Sequence, residues 1–167
     1  MAATLTLYEF IGTTTSPTTC TNLNFGSTVS GNLNSTLYPV TVGTYGQSKV
    51  LQLSFGGSFT SITNIKIYQS DGTNITGETI NYGCSSTFYT STGGSYADSI
   101  ATTAVPTTAP TTANITVGDT SSYIITDTEN TTDYVFLQSS LSVLASATSI
   151  PTKTLTFTLT EVEYLRR

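Results

Sequence analysis

The clearest pattern in the chain lies near its end, where Leu155, Phe157 and Leu159 alternate with Thr154, Thr156, Thr158 and Thr160. Successive side chains of a β-strand point to opposite faces, so a period of two predicts a half-buried strand over residues 153–164, apolar inside and hydroxylated outside. Apolar positions then resume at Val162 and Tyr164, a change from odd to even numbers that one strand makes only through a bulge or an exchange of faces. The expectation is a bulge near Thr160. Such a strand needs hydrogen-bonding neighbours and a second layer over its apolar face, and the rest of the chain must supply both.

Leu5 and Leu7 predict a short first strand, followed by a Thr-rich loop over residues 12–21 that contains Pro17. Residues 22–34 have only Leu23, Phe25, Val29 and Leu33 to bury and read as loop with one weak strand. Across residues 37–44, Tyr38, Val40 and Val42 alternate, and Pro39 assigns that strand to an edge because proline cannot donate to a ladder. Leu51, Leu53 and Phe55 alternate, Gly56 and Gly57 interrupt, and Ile65 and Ile67 alternate again before Ser70-Asp71-Gly72 turns the chain. Ile75, Ile80 and Tyr82 continue the pattern as far as Gly83.

Residues 85–113 hold little to bury beyond Phe88, Tyr89, Tyr96, Ile100 and Val105, and Pro106 and Pro110 frame a Thr/Pro-rich surface connection at about residues 102–113. The segment after it is too small for a core of its own, so residues 1–167 are expected to form a single domain. Tyr134-Val135-Phe136-Leu137 is a continuous apolar run, the mark of a central strand buried on both faces. Only residues 139–147 would accommodate a short helix. The fold class expected is all-β, a two-sheet β-sandwich or jelly roll of about seven to ten short strands with little or no helix.

Charged residues make up 9% of the chain, where soluble domains average about 25%, so hydroxyls and amides must wet the surface. The net charge of −5 comes with no basic stripe, which argues against nucleic acid and against acidic membrane surfaces as partners. Residues 1–10 show no basic segment followed by an apolar run, and no stretch approaches the roughly 20 apolar residues of a membrane span, so synthesis in the cytoplasm without a signal peptide is expected. The sequons at Asn34, Asn74, Asn114 and Asn130 are then accidents of a Thr-rich composition.

Histidine is absent, which removes the usual general base, the commonest metal ligand and every His-containing triad. No calcium loop, paired-cysteine spacing or phosphate-cradling turn occurs, so no catalytic residue, cofactor site or metal site is expected, and the chain reads as a non-enzyme. Cys20 and Cys84 fit small packed apolar side chains, with a disulfide between them as the alternative. Glu161 and Glu163 are two apart on one strand face; beside Tyr164, Arg166 and Arg167 they read as a charged, partner-facing rim rather than a glycosidase pair. Tyr89 and Tyr96 are the candidates for stacking on a sugar or other ligand, or for pinning their loop to a sheet.

The segment LQLSFGGSFTSITNIKIYQSDG, with Gly56-Gly57-Ser58, Ile62, Asn64-Ile65-Lys66, Tyr68 and Gly72, resembles a group of small virion-associated proteins of tailed bacteriophages. Further on, Ile80-Asn81-Tyr82-Gly83, Pro106-Thr107-Thr108-Ala109-Pro110, Asp133-Tyr134 with Leu137-Gln138, and the ending from Phe157 to Glu161 resemble that group's later motifs in order. The resemblance spans residues 50–164. It implies a non-enzymatic β-sandwich of the virion, made in the host cytoplasm. Such a protein most often decorates the capsid by binding the assembled major capsid protein as a symmetric homo-oligomer, and otherwise serves as a tail or head-fibre module that binds a receptor or carbohydrate.

Overall fold

The computed structural model describes residues 3–21, 23–30, 36–118, 124–126, 130–146 and 152–162, and among these the chain is all-β with no helix. Nine strands follow one another: β1 (Thr4–Phe10), β2 (Thr18–Thr19), β3 (Lys49–Gly56), β4 (Ser61–Asp71), β5 (Glu78–Ser85), β6 (Thr103–Ala104), β7 (Ile124–Ile125), β8 (Tyr134–Leu141) and β9 (Thr154–Val162). They pair antiparallel into a six-stranded sheet, β2-β1-β3-β8-β5-β6, and a three-stranded sheet, β7-β4-β9.

The two sheets share one core, as a sandwich must. Leu51, Leu53 and Phe55 of β3, Ile80 and Tyr82 of β5, and Val135 and Leu137 of β8 meet Ile62, Ile65 and Ile67 of β4 and Ile125 of β7. Leu155, Phe157 and Leu159 of β9 pack against this cluster but stay only half-buried. Their alternation with threonine is the half-buried pattern that the period of two predicts.

The continuous run at residues 134–137 lies on β8, flanked by β3 and β5, and is buried on both faces. Val135 and Leu137 face the sandwich interior, whereas Phe136 faces the other way, into a second cluster with Phe10, Val50 and Ala101. Phe88 and Ile100, from the long loop after β5, cover that cluster. Ring centroids of Phe10 and Tyr134 lie 5.1 Å apart, of Phe88 and Tyr134 5.6 Å, and of Phe10 and Phe88 5.9 Å, so loop and sheet meet through tilted and edge-on aromatic contacts. Gly83 makes this approach possible: a Cβ there would fall on the Ile100 carbonyl, so β5 admits no side chain at that point.

Two expectations need correction. The bulge is not in β9 near Thr160 but in its partner. Thr63 pairs with Thr160 and Lys66 with Thr158, so β4 carries the extra residue around Asn64, which adopts φ 56°, a left-handed conformation that asparagine tolerates. The inward phase of β4 therefore changes between Ile62 and Ile65, while β9 keeps one phase throughout and leaves Val162 46% exposed. Residues 37–44 form turns rather than an edge strand. The N–H and hydroxyl of Thr44 both donate to the Thr41 carbonyl, a local turn that competes with any ladder. Leu37 and Tyr38 are exposed.

The Thr/Pro-rich connection runs beside β4, on the side away from β9. Pro106 O accepts from Gln69 N at 2.8 Å, and Asn114 N and Ile115 N donate to Ile65 O at 3.1 and 3.2 Å. Asn114 acts as a surrogate strand residue, its side-chain Oδ1 accepting from Ile67 N at 2.8 Å and its Nδ2 donating to Ile67 O at 3.0 Å. A glycan on Asn114 would have to fit against β4, where Nδ2 donates to Ile67 O.

Candidate functional site

Among the described residues four carboxylates are buried, and each has a partner that accounts for it. Glu9 accepts from Lys49 Nζ at 2.8 Å and Glu78 from Lys153 Nζ at 2.8 Å, all four side chains being at most 6% exposed. Asp98 accepts from Ile100 N at 2.8 Å and Ala101 N at 3.2 Å, turning the loop back onto the sheet. Asp133 accepts from Gly118 N at 2.6 Å and from the Thr116 hydroxyl, holding the segment before β7. Among the described residues no group of three His, Cys, Asp or Glu side chains is placed to hold a metal ion.

Neither Cys20 nor Cys84 is in a disulfide, and both are partly buried against the main core, as small apolar side chains would be. Burial is the main force pushing the Cys84 thiol above its ordinary value; hydrogen bonds from Thr116 oppose the shift and the Asp133 charge adds to it. At neutral pH the thiol stays protonated and weakly nucleophilic. A disulfide-exchange reagent should label Cys84 of the folded protein many-fold more slowly than a free thiol, and both cysteines at full rate in denaturant; fast labelling of the native form would contradict the buried environment.

The surface best suited to a partner is the outer edge of β9. Ile67 gives both its backbone groups to Asn114, so neither is available to Phe157, which lies directly opposite on β9. Val162 O, by contrast, accepts from Thr60 N at 2.8 Å. Backbone groups alternate in direction along an antiparallel strand, so the even residues of β9 face β4 and the peptide groups of Leu155, Phe157, Leu159 and Glu161 face outward. Among the described residues no strand pairs with that edge.

A second exposed feature is the loop after β5. Tyr89 is 49% exposed with its ring 6.2 Å from Phe136, so it pins the loop to the sheet while showing one side to solvent; Tyr96 is 73% exposed. The backbone beneath Tyr96 is fixed by Gln138, a β8 side chain only 2% exposed. Its Oε1 accepts from Asp98 N at 2.7 Å, and its Nε2 faces the carbonyls of Gly46, Thr92 and Tyr96 at 3.1, 3.2 and 3.3 Å.

Of the rim residues named from sequence, Glu161 is half-buried and in phase with Leu159. Its Oε1 accepts from Ala3 N at 2.7 Å, so it ties the start of the chain to β9 rather than standing free. Glu163, Tyr164, Arg166 and Arg167 lie outside the described residues. Tyr89 and Tyr96 share one loop, well apart in kind from the β9 edge: one feature is an aromatic surface and the other a row of peptide groups. The buried ion pairs and the Gln138 hub escaped sequence reading, although each of those residues continues the phase of a buried strand. No family model, curated protein or solved structure matches the chain.

Proposed function

We propose that the chain is a non-enzymatic virion structural protein, a capsid decoration protein that binds the outside of the assembled major capsid protein as a homo-oligomer and stabilises the particle. The observation that carries this reading is the outer edge of β9, uncharged from Thr154 to Thr160, whose outward peptide groups have the geometry to extend a sheet into a neighbouring copy. The ordered motifs behind the resemblance fall on connected elements: residues 51–55 on β3, 64–71 on β4, 80–83 on β5, 134–138 on β8 and 157–161 on β9. A surface wetted by hydroxyls rather than charges also suits a particle exposed to changing salt, because screening acts on charges. Binding only the folded form, the capsid would in turn stabilise the protein by mass action.

The test is to mix the purified protein with empty capsids of the phage that encodes it and image them by cryo-electron microscopy. Ordered density at symmetry-related lattice positions is expected. Bare capsids would overturn the decoration reading. A tail or head-fibre module that binds a receptor or carbohydrate is the second reading, favoured by the exposed Tyr96 ring on a firmly anchored backbone. A glycan array on which the protein binds nothing, or binds equally after Tyr89→Ala and Tyr96→Ala, would remove it.

A further inference from the structure

We propose that two copies of this chain join edge to edge through β9, antiparallel about a two-fold axis passing by Thr158, merging their three-stranded sheets into one. Both edges of the six-stranded sheet end in a strand of two residues, β2 and β6, and so offer little template for pairing. β9 has nine residues. Natural edges of that length are blunted by lysine, proline or a bulge, yet residues 154–160 contain no charge and no proline, and the bulges of the β4–β9 pair lie on β4.

The edge is complementary to itself. With the axis at Thr158, Phe157 comes opposite Leu159 and Leu155 opposite Glu161, and all four of these residues turn their backbone groups outward, so each pair can exchange both its hydrogen bonds. Shifting the pairing by one residue would set outward groups against inward ones. On the solvent face this register places Thr158 against Thr158 and Thr156 against Thr160, favourable cross-strand pairs. On the core face it sets Phe157 beside Leu159, side chains that are half-buried in the single chain and gain cover in the pair. Glu161 meets Leu155 rather than a like charge, its carboxylate being held by Ala3 N. This fit of the strand to its own copy selects a second copy as the occupant.

The inference identifies the surface behind the homo-oligomer of the proposed reading and rests on that reading only for its place on a particle. Sedimentation of the full chain over concentrations of about 1 µM to 1 mM, a range in which weak to moderate contacts dissociate, should show a reversible dimer. The amides of Leu155, Phe157 and Leu159 should exchange slowly only at the high end. Thr158→Glu separates pairing from folding, because Thr158 lies opposite Lys66 on β4. A glutamate there gains a partner within its own chain but meets its copy across the axis, and should weaken the dimer at least about tenfold without lowering the melting temperature of the dilute, monomeric protein. Mixing T158E with T158R should restore pairing as a heterodimer. A wild-type monomer throughout the range, a dimer unchanged in T158E, or amide protection at another segment would each overturn the proposal. Failure of the particle reading shows instead as bare capsids beside an intact wild-type dimer.

Discussion

Replacing Lys49 with methionine should lower the free energy of unfolding by about 3–5 kcal/mol, a large part of the roughly 5–15 kcal/mol that holds a typical domain together. Lys49 and Glu9 sit on neighbouring strands β3 and β1, with side chains 4% exposed, and Lys49 Nζ also donates to Ser30 O at 2.5 Å. Methionine fills the aliphatic volume of the lysine but leaves the Glu9 carboxylate without its cation and Ser30 O without its donor. The loss comes mainly from the stranded charge and not from the missing attraction. The double variant Glu9→Leu/Lys49→Met should therefore recover most of the loss, short by about 1 kcal/mol for the Ser30 carbonyl. Urea unfolding of the wild type, both single variants and the double variant measures this cycle. If the double variant is as unstable as Lys49→Met, packing around Ser30 and not the stranded charge is the cause.

The same pair shows what the sequence concealed and why. Lys49 belongs to the phase of Leu51, Leu53 and Phe55, Glu9 to that of Leu7, Glu78 to that of Ile80 and Tyr82, and Lys153 to that of Leu155 and Phe157. Strand phase puts all four on interior faces although charge favours the surface, and the structure reconciles the two by pairing them at strand ends. Phase was legible because a period of two needs only a few residues, and it located β3, β4, β5, β8 and β9 correctly. Partners were not legible, because Glu9 and Lys49 are 40 residues apart in the chain and nothing local joins them. The misplaced bulge has a related origin. Val162 and Tyr164 suggest a change of phase in β9, but the change lies between Ile62 and Ile65 in β4, and only the pairing of β4 with β9 shows which strand holds the extra residue. For the candidate site, the end of β9 and the tyrosines were legible as places, but the outward peptide groups were not, since they depend on Asn114 having taken up Ile67 from the far side.

Gln138→Leu should cost about 3–5 kcal/mol, more than an ordinary core substitution, because one neutral side chain satisfies groups from two separate stretches of chain, Gly46 and the loop after β5. Leucine is similar in size and apolar, so the change isolates hydrogen bonding from packing. It leaves Asp98 N without an acceptor and removes the amide donor facing Gly46 O, Thr92 O and Tyr96 O, in a site where Gln138 is 2% exposed and water has little access. Gln138→Glu keeps the acceptor for Asp98 N but turns a carboxylate oxygen toward those carbonyls, and should be worse than leucine although it differs from glutamine by one atom. That order, Gln above Leu above Glu, is the signature of a donor requirement; the reverse order of Leu and Glu would mean that the acceptor alone matters. The damage should begin locally, since loops open at lower free energy than the strands beneath them. Amide exchange at Asp98, Ile100 and Ala101 should accelerate before that of β8, and Phe136 should lose the cover of Tyr89. The exposed Tyr96 ring rides on the same loop, so the amide at the centre of β8 also sets the stiffness of the one aromatic surface that the protein presents there.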